Sequence, residues 1–110
     1  MILKHARDVE AVAVREDAKN TKVRWLIADQ DGAPNFAMRL FEIGPHGATP
    51  LHTHAWEHEV FVLGGEGVVV SAEGERKIAP GDAVFMPGEE RHQFRSVGDG
   101  VLKVLCMIPI

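Results

Sequence analysis

Cysteine is nearly absent from this 110-residue chain: Cys106 is the single thiol, so no intrachain disulfide can form. A sulfur-rich zinc site or an iron–sulfur cluster is excluded for the same reason. Long apolar runs are lacking as well. "VEAVAV" and "VLKVLCMIPI" fall far short of the roughly 20 residues that a spanning helix needs, and the opening "MILKHARD" meets charge by residue 4. The reading is therefore of neither a signal peptide nor a transmembrane segment, with a cytoplasmic location as the default. Basic excess is missing too: the formal net charge is −4, which argues against nucleic acid or an anionic membrane surface as a partner. No repeat, low-complexity tract or linker divides the chain, so one domain over residues 1–110 is expected.

Glycine and proline, in contrast, recur at short intervals, in "DGAP", "GPHGATP", "LGGEG", "APGD", "MPGEE" and "VGDG". The segments between them are short, apolar and rich in β-branched and aromatic residues. This pattern predicts strands near 23–29, 35–43, 50–54, 58–63, 66–72, 75–79, 83–86, 92–96 and 101–108. Only "ARDVEAVAVREDA" hints at a helical period. An all-β sandwich or barrel follows. Alternation places Leu102, Val104, Cys106 and Ile108 on one face with Lys103 on the other, groups His58 with Val60 and Val62, and groups His92 with Phe94.

The histidines are concentrated. Three of the six, His52, His54 and His58, lie within "LHTHAWEHE". On an extended chain the two-residue spacing turns His52 and His54 to one face, close enough to grip one ion. Neutral imidazole is a good ligand for borderline divalent metals. The helical zinc-protease pattern does not apply, because its glutamate directly follows the first histidine, whereas Glu57 here precedes His58.

At these residues the chain resembles the cupins, small jelly-roll β-barrels. Their first motif runs Gly, five residues, His-x-His, three or four residues, Glu, six residues, Gly. Their second runs Gly, five residues, Pro-x-Gly, two residues, His, three residues, Asn. Here the first falls on His52, His54 and Gly65, and the second on Gly81, Pro87 and His92. The glutamate position holds His58 by the three-residue spacing or Glu59 by the four-residue spacing. Only His58 keeps Gly65 in register, which makes a four-histidine set of His52, His54, His58 and His92. His46 stands at the first glycine position, Glu89 at the glycine of Pro-x-Gly, with Gly88 one place early, and Ser96 at the final asparagine.

The resemblance is especially to small single-domain cupins with four histidines and manganese. It implies one divalent ion per chain, manganese first, although imidazole suits iron, zinc, nickel and copper as well. It also implies a metal-dependent oxidoreductase, of dioxygenase or peroxide-using type, acting on a small organic molecule. The alternatives are a non-redox isomerase or lyase of sugars or organic acids, and a non-catalytic small-molecule binding module. Phe94, Val104 and Ile108 are expected in the pocket or the core. Arg39 is read as an anchor for an oxyanion or as a surface charge, and Cys106 as a chemical group or as packing. Glu57 and Glu59 either orient ligands or are simply solvated, and His5 and His46 are placed on the surface. Small cupins resemble one another in forming homodimers, for which the outward Phe61, Leu63, Leu105 and Met107 are candidates; equally, these residues could cover the barrel's own second layer.

Overall fold

The punctuated segments become nine strands in the computed structural model, which describes residues 1–110. They are β1 (Val12–Ala13), β2 (Lys19–Ile27), β3 (Phe36–Ala48), β4 (His58–Gly64), β5 (Gly67–Ser71), β6 (Gly74–Ile78), β7 (Ala83–Met86), β8 (Gln93–Ser96) and β9 (Leu102–Pro109). Every pairing is antiparallel, in the order β6-β5-β8-β3-β9-β4-β7, with β2 adding to β3 and β1 to β2. The sheet curls into a half-barrel of jelly-roll type, and the all-β expectation holds. No helix is long and apolar enough to cross a membrane.

Period-two alternation builds the interior. Leu102, Val104 and Cys106 of β9 are buried while Lys103 is exposed, and His58, Val60 and Val62 of β4 are buried while Glu59, Phe61 and Leu63 are exposed. The register sets Val62 opposite Val104 and Val60 opposite Cys106. On the other flank of β9, Ile43 lies opposite Leu102. Ile43, Val62, Leu102 and Val104 are the largest fully buried side chains, each worth about 1.5–3 kcal/mol of transfer free energy. The reverse face of β4 leaves Phe61 and Leu63 open, beside half-buried Leu105 and Met107. No second layer of this chain covers Phe61 and Leu63.

Three expectations are corrected. Residues 50–54 form no strand: Pro50 lacks a donor, and only His52 pairs, through an isolated bridge to His92. The helical hint near the start gives one 3-10 turn, Ala6–Asp8, followed by β1. There the Arg24 guanidinium donates to the carbonyls of Ala6 and Val9, at 3.2 and 2.6 Å, and holds the segment against β2. Finally, β3 runs on through "GPHGA" to Ala48 instead of stopping at 43. The breakers sit at a bulge in the β2–β3 pairing. Thr21 stitches it by donating its hydroxyl toward the carbonyls of Lys19 and Ala48.

Two turns need glycine for different reasons. Gly65 has φ +78°, and a Cβ there would lie 2.1 Å from the Val101 carbonyl oxygen. Gly88 lacks the positive φ, but its Cβ would meet the Ala55 carbonyl at 2.3 Å, inside the loop that carries His54. At the two motif positions where glycine is replaced, the backbone keeps the left-handed conformation: His46 has φ +56° and Glu89 φ +68°. Each such non-glycine residue costs about 1 kcal/mol.

Candidate metal centre

The histidines reach one place from three segments. His52 and His54 lie on the loop after β3, His58 opens β4 opposite Met86, and His92 immediately precedes β8. The loop is zipped to residues 89–94. His52 and His92 exchange backbone hydrogen bonds at 3.2 and 3.0 Å, and the Glu89 amide donates to the His54 carbonyl at 2.7 Å. The Thr53 hydroxyl donates to the Glu89 carbonyl at 2.7 Å. The Phe94 amide donates to the Thr49 hydroxyl at 2.9 Å. This lacing does what the expected strand would have done, and His52 and His54 share a side despite lying on a loop.

The possible ligand atoms of His52, His54 and His92 all lie within 4.8 Å of one another, so these three are placed to hold a metal ion. The His58 ring stands 4.6 Å from that of His54 and 4.9 Å from that of His92, centroid to centroid. The His58 and His54 Nε2 atoms approach to 2.7 Å.

Hydrogen bonds at the far nitrogens fix which atom each ring offers. His54 Nδ1 lies 2.8 Å from the Trp56 carbonyl and His92 Nδ1 2.8 Å from the Glu90 carbonyl. A carbonyl only accepts, so both Nδ1 atoms carry the proton and both Nε2 lone pairs face inward. His58 then meets the His54 lone pair with its own Nε2. At this separation the two nitrogens share one proton, His58 Nε2–H donating to the His54 Nε2 lone pair. With an ion held by these histidines, the His58 proton would sit on Nδ1, which lies 2.9 Å from the Cys106 sulfur, a soft acceptor. The residues present therefore fit a divalent ion.

Protonation favours the same outcome. Burial pushes the His58 pKa down to about 3, helped by the Arg39 guanidinium and the neighbouring rings. Burial likewise lowers His52, with His92 and His54 adding to it, and lowers His92 against the opposing pull of the Glu90 carbonyl. These rings are neutral ligands at neutral pH. Burial raises the Cys106 thiol, which stays protonated beside them.

A cavity of about 360 Å³ opens in front of the histidines. Arg39, Cys106, Phe94, Val104 and Ile108 are among the residues that line it. Phe94, Val104 and Cys106 are also members of the core, and Ile108 packs against it. Arg39 is half-buried, with its Nη2 3.1 Å from the Cys106 sulfur and 3.3 Å from His58 Nδ1. Glu57 and Glu59 are exposed, as are His5, whose Nδ1 caps the first turn, and His46, which lies 3.2 Å from Asp99.

Several wall residues escaped the sequence reading, among them Trp25, Phe41 and Trp56. Trp56 stacks on His54 at 4.2 Å with 9° between the planes. Its position two residues past His54 was a usable signal. Trp25 gave none, because its place follows from pairing opposite Arg39.

The chain is thus a curled antiparallel half-barrel with three histidines placed to hold a metal ion at the mouth of a cavity. The chain belongs to the cupin family, whose domain, described as "Cupin domain", matches residues 39–108. Over 71 residues it is 39% identical to 1-methylthio-D-xylulose 5-phosphate methylsulfurylase of Rhodospirillum rubrum, covering 64% of this chain and 46% of that protein. The chain spans about half the length of the curated relatives it matches. Among solved structures it superposes on the polyketide cyclase RemF from Streptomyces resistomycificus with a TM-score of 0.93 and 39% identity, covering 99% of this chain and 79% of that one. A cupin 2 conserved barrel domain protein from Rhodopseudomonas palustris follows at TM-score 0.79 and 28% identity, covering 92% and 68%.

Proposed function

We propose that this cupin is a metal-dependent enzyme in which His52, His54, His58 and His92 together hold one divalent ion, manganese being the first candidate. The reaction we infer is non-redox, of cyclase or isomerase type, on a small enolisable carbonyl compound. The observation that supports it is the donor set. Four neutral imidazoles cancel none of the ion's charge and stabilise its lower oxidation state, whereas an anionic carboxylate ligand would favour the higher one. When bound, such an ion supplies Lewis acidity, polarising a carbonyl oxygen.

The chain's own residues do the rest. The apolar walls Val60, Phe94 and Val104 lower the polarity on the inner side of the histidines, which strengthens that polarisation. The carbonyls of Trp56 and Glu90 orient the His54 and His92 rings, and Cys106 stands ready to take the His58 Nδ1 proton in a hydrogen bond. The similarity to a polyketide cyclase, an enzyme named for closing rings, supports the same reading. The oxidoreductase reading uses every one of these residues and is the second proposal. A homodimer through the open face of Phe61 and Leu63 accompanies either.

Zinc separates the two chemistries, since it has no redox activity. The zinc-loaded protein is expected to speed exchange of the α-protons of 2-acetylnaphthalene with deuterium about 100-fold over the metal-free protein. Manganese-loaded protein is expected to consume no dioxygen with the same compound. Dioxygen uptake with manganese or iron, and no exchange with zinc, would establish the oxidoreductase instead.

A further inference from the structure

The second charged element of the cavity is Arg39. It stands on β3, with Trp25 of β2 and Cys106 of β9 as its cross-strand neighbours. Its guanidinium lies 5.2 Å from the Trp25 ring centroid and 4.9 Å from that of Phe41, a position in which the ring faces attract the cation without neutralising it. The close polar partners of its Nη2, the Cys106 sulfur and His58 Nδ1, are not carboxylates. Its Nε is buried and has no hydrogen-bond partner. Leaving a charged donor so exposed to desolvation is costly unless something else supplies the acceptor.

Three other cations find carboxylates: Lys4 pairs with Asp31, Arg24 with Glu42 and Arg95 with Glu75. The cavity offers Arg39 no such partner, because none of the 17 residues that line it is an aspartate or a glutamate. A divalent ion on neutral imidazoles would raise the positive charge of the same space further. The missing negative charge must arrive with the occupant, and the walls say what carries it. Trp25, Trp56, Phe41 and Phe94 present aromatic surface, Trp56 with one face stacked on His54.

We propose that the cavity is a binding site for a planar aromatic oxyanion, with the Arg39 guanidinium as its anchor. This deepens the enzyme reading above by naming its substrate class as an aromatic anion, a carboxylate or phenolate on a fused or single ring. Arg39 acts here as a binding residue and does so whether or not a metal is present.

The test uses metal-free protein and two probes of equal shape, 1-naphthoate and 1-naphthamide, followed by tryptophan fluorescence. Both tryptophans of the chain line the cavity, so quenching reports occupancy directly. Naphthoate is expected to bind about 10-fold or more tighter than naphthamide. Arg39→Gln is expected to bring the two affinities together while leaving that of naphthamide within about 2-fold, and Arg39→Lys to restore part of the preference. Equal affinities in the wild type, no binding of naphthoate up to millimolar concentration, or a preference that survives Arg39→Gln would each overturn the proposal. The wild-type comparison stands even if a variant fails to fold. If naphthoate is preferred but the zinc-loaded protein exchanges no α-protons, the anion site stands and the enzyme reading falls.

Discussion

Alanine at His92 is expected to strip the protein of its metal. The His92 ring is buried, its Nδ1 is committed to the Glu90 carbonyl, and its backbone forms the bridge that holds His52 in place. Losing an outer partner of a metal ligand typically costs 10–100-fold in affinity, so losing the ligand itself should cost more than about 100-fold. Isothermal titration with zinc or manganese measures this. His54→Ala should behave alike, and His58→Ala is the informative member of the series. A comparable loss there supports four ligands, whereas an affinity within about 10-fold of wild type would mean that His58 only packs against the other three. His5→Ala and His46→Ala, on the surface, should change nothing.

Acid is expected to unfold the metal-free protein well above the pH at which carboxylates protonate. His58 titrates near 3 in the folded chain against an ordinary value of 6.5, and His92 is lowered in the same direction. Below 6.5 the unfolded chain takes up protons that the folded chain refuses, so stability is full above 6.5 and falls as the pH drops. The slope approaches about 1.4 kcal/mol per pH unit for each such histidine. For His58 it persists until its folded pKa is reached, below which that loss stops growing. Between pH 7 and pH 5, His58 alone accounts for about 2 kcal/mol. Denaturant unfolding at the two pH values checks it, with His58→Leu losing that share of the dependence. Stability unchanged across this interval would mean that the rings are not held neutral by burial.

How far the sequence carried this account depends on the kind of residue. The candidate ligands His52 and His54 were legible through their two-residue step, while His58 and His92 were picked out by the resemblance to the cupin motifs. Strand faces were legible wherever one side is buried, as in the alternation of Leu102, Val104 and Cys106 against Lys103. The loop at 50–54 and the extension of β3 were not. Both turn on how a breaker is used, and Pro50 and the "GPHGA" bulge are held by cross-chain bonds from Thr49, Thr21 and Glu89 that local propensity does not see.

Arg39 shows the limit most clearly. From sequence alone it was as much a surface charge as a pocket cation. Its meaning comes from neighbours distant in the chain, 14 residues back at Trp25 and 67 ahead at Cys106, and from the lack of any acid on the cavity wall.

The central claim is a four-imidazole centre in which Cys106 supports His58 from behind without touching the ion. X-ray absorption at the zinc edge of the fully loaded protein tests it most directly. The account predicts nitrogen scatterers at about 2.0–2.1 Å with multiple scattering from four imidazole rings. A fit with three imidazoles, or a sulfur at about 2.3 Å from Cys106 in place of His58, would contradict it.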